Sequence, residues 1–93
     1  MSYFLVKTEC AADKVDELTR KVANSEIPKI KGNLVFVSPD GRLGYDIIEA
    51  ESEDEVRRTY QHLTQYCRIH EITPIVPMGQ YIERWKCQHG LRM

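Results

Sequence analysis

Few residues of this chain can do acid–base or ligand chemistry, and none sits in a motif that specifies a reaction. His70 lies in an apolar, strand-like run with Ile69, Ile72 and Val76. An imidazole there titrates near neutral pH and can serve as acid, base or ligand. The plainer reading, a hydrogen-bonded histidine at a strand edge or a dimer contact, is favoured by how freely histidine occupies intermediate burial. Asp46 stands among Tyr45, Ile47 and Ile48, and aspartate is depleted in strands. If it faces an enclosed side it is a pocket carboxylate, and Lys7 on the same face would offer it a cation and shift both titrations. If both point to water they form an ordinary surface pair of little energetic weight. His70 and Asp46 are therefore the candidate catalytic residues. Tyr3, Tyr45 and Lys7 are candidates for holding a ligand or a developing oxyanion. Trp85, with Tyr81 and Arg84, offers a stacking platform for a ring, although the same pair at i and i+4 more commonly pins a terminal helix to its domain.

Other chemistries have weaker support. Cys67-Arg68-Ile69-His70 and Cys87-Gln88-His89 supply residue types that zinc accepts, but without paired CxxC knuckles, so neither a metal nor any other cofactor is expected. His62 reads as a solvated helix histidine. The five glycines are isolated or belong to a turn, which argues against a P-loop or a Rossmann fingerprint. Ser2, Ser25, Ser38 and Ser52 have turn, terminus or cap explanations, leaving a serine nucleophile without support.

These side chains must be positioned by a small number of elements. Ser38-Pro39-Asp40-Gly41 separates two runs rich in β-branched and aromatic residues, Asn33 to Val37 and Tyr45 to Ala50. Pro sets φ, Asp bonds back to its own backbone and Gly accepts φ > 0, so the segment predicts a hairpin. Ser2 to Thr8 alternates as a strand with Phe4 and Val6 on one face and Tyr3, Leu5 and Lys7 on the other. Ala11 to Asn24 carries Val15, Leu18 and Val22 at helical spacing, with Asp13, Glu17 and Lys21 on the wet side. Ser25 to Gly32 connects it to the hairpin. Ser52 with Glu55 is a capping box that opens a second helix, whose buried stripe is expected to run through Val56, Tyr60, Leu63 and Cys67. Ile69 to Val76 is the last strand, and Pro74 places it at a sheet edge. Gly79 to Gln88 reads as an extra helix turning Tyr81, Ile82 and Trp85 toward the protein, with Gly90 as its stop.

The order strand, helix, strand, strand, helix, strand predicts an α+β, ferredoxin-like βαββαβ fold with a four-stranded antiparallel sheet and both helices on one face. Ninety-three residues make one domain, with 1–78 as the ferredoxin-like unit and 79–93 as its helical extension. A formal net charge of -1 argues against a nucleic-acid partner. The absence of a long apolar run argues against a membrane. Three cysteines and no secretory leader point to reduced thiols and a cytoplasmic location. Every strand carries apolar residues on both faces, so the sheet face without helices needs a cover. A second copy is the simplest one, and a homodimer is expected. The terminal helix folding back is the rival.

The sheet pattern, the Tyr45 to Ala50 strand running into Ser52-Glu53-Asp54-Glu55, and Glu71-Ile72-Thr73-Pro74-Ile75-Val76 resemble the dimeric α/β-barrel superfamily, most closely its uncharacterised members of unknown function. The resemblance covers residues 2 to 77. It implies a site between sheet and helices or inside the barrel, in a superfamily that includes cofactor-independent monooxygenases, muconolactone-type isomerases, haem-degrading enzymes and ligand-binding regulatory domains. Fold alone does not choose among these. Three readings follow: a dimeric barrel binding a small apolar or aromatic molecule, ranked first; a cofactor-independent isomerase or oxygenase using His70 or Asp46 as base; and a protein-interaction module.

Overall fold

In the computed structural model, which describes residues 2–28 and 34–90, the alternating N-terminal run becomes a nine-residue strand, β1 (Ser2–Cys10). Phe4, Val6 and Cys10 are buried on one face, whereas Tyr3, Leu5, Lys7 and Glu9 remain partly exposed on the other. That is the pattern of a strand between a packed layer and an open one. β2 (Leu34–Val37) and β3 (Leu43–Ala50) form the hairpin, and β4 (Cys67–Ile75) completes an antiparallel sheet of order β2-β3-β1-β4. Among the described residues three α-helices accompany it: α1 (Val15–Ala23), α2 (Glu53–Tyr60) and α3 (Met78–Gln88). The chain is thus α+β with an open four-stranded sheet, compatible with a ferredoxin-like arrangement. Residues 29–32 of the expected connector, and Asn33, lie outside the described residues.

The hairpin turn forms as its residues require. Asp40 Oδ1 accepts from the Ser38 hydroxyl at 2.6 Å and from the Arg42 N–H at 3.1 Å, while the Gly41 N–H donates to the Ser38 carbonyl at 2.8 Å. Gly41 takes φ +78°, and a Cβ there would stand 2.9 Å from Val15 Cγ1. Glycine therefore meets a backbone demand and also lets the start of α1 approach the turn.

Ser52 caps α2 by accepting the Glu55 N–H at 3.3 Å; the Glu55 carboxylate reaches back to the Glu51 N–H at 3.0 Å, one residue earlier than the capping box predicts. Val56 and Tyr60 of α2 close the core over Phe4, Val6, Ile48 and Ala50. The expected helical stripe does not reach Cys67. After Tyr60 the chain tightens into a 3-10 turn, Gln61–Leu63, and the Thr64 and Tyr66 N–H groups fold back to the Gln61 and Leu63 carbonyls at 3.3 and 2.9 Å. Cys67 consequently opens β4, opposite Cys10.

β4 lies at a sheet edge, where the missing N–H of Pro74 is tolerated. Its register slips between Lys7, which faces Glu71, and Thr8, which faces Ile69, leaving His70 as the extra residue of a bulge. The bulge explains why Ile69 and Ile72, three residues apart, both pack on the core, while Ile75 falls on the open face opposite Tyr3.

α3 departs from its expected packing. Tyr81 is 59% exposed and Trp85 41%, and the indole stacks on His89 with centroids 4.2 Å apart instead of pinning the helix to the domain. Pro77, in an extended conformation, starts the helix beyond the end of β4, and no residue of α3 is buried. The radius of gyration is 16.5 Å, against about 12 Å for a compact chain of this length. Among the described residues, no helix is long and apolar enough to cross a membrane.

Candidate functional site

α1 displays its apolar stripe, yet none of its residues is buried. Val15, Leu18 and Val22 are half-buried and face the sheet across an open cleft of about 710 Å³. The opposite wall comes from Thr8 of β1, Val35 of β2, Gly44 and Asp46 of β3, and Tyr60 of α2. Helix and sheet are held apart here, whereas α2 packs directly on the same face. At Gly44 the lack of a side chain matters, because a Cβ would collide with the Thr8 hydroxyl opposite it. The Thr8 side chain takes up that space instead.

Asp46 is the buried carboxyl of this cleft, whose lining also includes Asp40 and Arg42. It is 5% exposed, and its Oδ2 accepts a short hydrogen bond from the Tyr60 hydroxyl. Burial pushes the Asp46 carboxyl above the usual carboxylate range, with the Tyr60 hydroxyl and the Phe36 main chain pulling it partly back. Burial also raises the Tyr60 phenol, and the neighbouring Asp46 adds to the effect. The result is a carboxyl that keeps its proton to higher pH than a surface aspartate, at the floor of a largely apolar cleft. Such a group can donate or accept a hydrogen bond to a ligand, or pass a proton.

Register separates the other candidates from it. Val6 stands opposite Asp46, while Lys7 stands opposite Tyr45. Lys7 is thus on the open face, paired with Glu71 at 3.3 Å, and Asp46 and Lys7 form neither the pocket pair nor the surface pair weighed from the sequence. His70 is on the open face too, its Nε2 2.6 Å from Glu9 Oε1, and Arg42 holds the other oxygen of that carboxylate at 3.1 Å. The His70 hydrogen bond first, then the charges of His70, Arg42 and Arg68, keeps the Glu9 carboxyl below its ordinary range. Tyr3 lines a shallow apolar dimple of about 220 Å³ with Ile47, Ile75, Val76 and Pro77. Tyr45 is 43% exposed on that same face, and Trp85 stands apart on α3. Of the candidate catalytic and ligand-holding residues read from the sequence, Asp46 alone lines the cleft; Tyr3, Lys7, Tyr45 and His70 share the opposite side of the sheet.

The bond from Tyr60 to Asp46 and the close approach of Thr8 to Gly44 went unread in the sequence as features of a site. Tyr60 left a usable signal, since a tyrosine on the buried stripe of a helix needs a partner for its hydroxyl, and a strand aspartate needs a donor. Among the described residues, no three His, Cys, Asp or Glu side chains gather where they could hold a metal. In comparisons with known proteins, no family model, no curated protein and no solved structure matches this chain.

Proposed function

We propose that this chain binds a small apolar or aromatic molecule in the cleft between α1 and the sheet, with Asp46 and Tyr60 as its polar anchor. The observation that carries this reading is the cleft itself: an apolar helix stripe stands off an apolar sheet face, with one buried carboxyl–phenol pair between them. The isomerase or oxygenase reading ranks lower, because His70 and Lys7 lie across the sheet from Asp46, whose hydrogen-bonded side-chain neighbour is the Tyr60 phenol. The test is titration with the uncharged dye Nile red. Leu18→Arg places a cation in the cleft and is expected to weaken binding at least about tenfold, or ~1.4 kcal/mol. Tyr45→Arg, on the far face, is expected to leave the affinity unchanged. Undiminished binding to Leu18→Arg would remove the cleft as the site.

We also propose a ferredoxin-like homodimer of the dimeric α/β-barrel kind, with the open sheet faces of two copies packed together. Supporting it are Phe36 at 60% and Tyr45 at 43% exposure, with half-buried Tyr3, Leu5 and Ile47 beside them, a contiguous apolar face that a monomer would leave in water. Light scattering is expected to give twice the chain mass, retained after truncation at Met78 and lost in Phe36→Arg. A monomeric intact chain would overturn this assembly without touching the cleft.

A further inference from the structure

Cys10 and Cys67, both free thiols, are direct cross-strand partners in the β1–β4 register, so their side chains leave the sheet on the same face. The Cys10 N–H donates away from β4, to the Arg42 carbonyl at 2.7 Å, and the next N–H, of Ala11, turns back to the Tyr66 carbonyl at 3.3 Å. The N–H and C=O of a strand residue point the same way, so Cys10 and Cys67 form a non-hydrogen-bonded pair. The Cα atoms of such pairs lie about 4.5 Å apart, at the short end of the ~4.4–6.8 Å that a disulfide spans. Both residues border the apolar cleft and also a second cavity of about 360 Å³ lined by Glu9, Arg42 and Arg68. Cys10 is 3% exposed, while Cys67 is half-buried and the more accessible of the two. Glu9 is engaged by Arg42 and His70 and stands opposite Arg68 in the register, so this second cavity carries two guanidinium groups against one carboxylate, an excess of positive charge that favours an anionic reagent.

We infer that Cys10 and Cys67 form a reversible dithiol–disulfide site, oxidised by low-molecular-weight disulfides of the glutathione class. The Cys67 thiolate attacks one sulfur of the small disulfide, its S–S bond breaks, and one small thiolate leaves. The Cys10 thiolate then attacks Cys67 Sγ and displaces the second small thiolate. In total the two cysteines give up two electrons and two protons, and the small disulfide takes them up as two thiols. An excess of small thiol runs the same two exchanges backwards, which makes the link reversible. Burial, and after it the neighbouring Cys10 sulfur, pushes the Cys67 thiol upward, so the exchange is slow at neutral pH and accelerates in base, since the thiolate is the nucleophile.

The test incubates the intact, native chain with oxidised glutathione across a pH series, quenches with acid, alkylates, and maps peptides by mass spectrometry without reduction. The expected product is a Cys10–Cys67 cross-link that dithiothreitol reverses and that forms equally in Cys87→Ser. Its rate is expected to rise roughly tenfold per pH unit below the thiol pKa, because only the thiolate attacks. Exposed Cys87 is expected to be glutathionylated or alkylated. Three results would overturn the inference: Cys10 and Cys67 staying alkylatable while Cys87 alone is oxidised, cross-links made chiefly to Cys87, or a Cys10–Cys67 link that forms only in denaturant.

Discussion

Tyr60→Phe is expected to lower the unfolding free energy by about 1–3 kcal/mol at neutral pH, the cost of leaving a buried acceptor without its donor. The phenyl ring keeps the packing against Val56 and Ile48, so the loss isolates the hydroxyl that Asp46 accepts from. The pH dependence gives the loss its signature. Burial raises the folded-state pKa of Asp46 above its unfolded value, so between those values the native state holds more protons. The contribution of this group is fully present below the unfolded pKa and is lost as pH rises through the folded one. Removing the hydroxyl takes away an influence that lowers the pKa, extending that window upward. The deficit of Tyr60→Phe should therefore be large at neutral pH and shrink in acid, where a protonated Asp46 carries no charge to strand. Glu9, Asp40 and Glu71 act in the opposite sense: hydrogen bonds to His70, Ser38 and Thr73 hold them low, and what they contribute is lost as pH falls through their folded values. The comparison must for that reason be made as variant minus wild type at each pH, by urea denaturation. Pairing the change with Asp46→Leu removes both partners and should recover most of the loss. A Tyr60→Phe chain as stable as wild type at neutral pH would mean that Asp46 does not depend on this hydroxyl.

Phe4→Ala should have the largest effect of any single truncation, about 3–5 kcal/mol. Phe4 is 6% exposed and is a large side chain of the buried core cluster, with Val6, Ile48, Val56 and Tyr60. Elsewhere α1 stands off the sheet and α3 buries none of its residues, so little remains to compensate. A chain of this size has about 5–15 kcal/mol in total, and the variant should lie close to unfolding near room temperature. The expected drop in Tm is on the order of 12–40 °C, from ~4–8 °C per kcal/mol. Leu5→Ala is the control, since Leu5 is half-buried on the open face of the same strand, and its cost in the monomer should be well below that of Phe4→Ala. Equal losses from the two would mean that the open face is packed as tightly as the inner one, which is the condition expected of a stable sheet-on-sheet dimer. Measuring both above and below the dissociation concentration separates these cases.

Short-range signals in the sequence determined the elements. Pro39-Asp40-Gly41 specified the hairpin because each residue meets a local backbone demand, and Ser52 with Glu55 specified the start of α2 for the same reason. The alternation in β1 separated Phe4 and Val6 from Tyr3 and Leu5, and Pro74 placed β4 at an edge, but the packing of α2 decided which face of β1 is buried. Long-range register decided the rest. A one-residue bulge at His70 put that imidazole beside Glu9, away from Asp46. Since side chains alternate every residue along a strand, one inserted residue exchanges the faces of everything beyond it, and no local preference announces the insertion. The pairing of Asp46 with Tyr60, fourteen residues apart, and of Cys10 with Cys67 likewise exists only once strands and helix are in place. Stripe residues on α1 and α3 read as buried because spacing reports which side of a helix is apolar. Whether another layer lies close enough to cover that side is a property of the whole fold. At α1 the uncovered space is the cleft, and at α3 the exposed side is the one that carries Trp85.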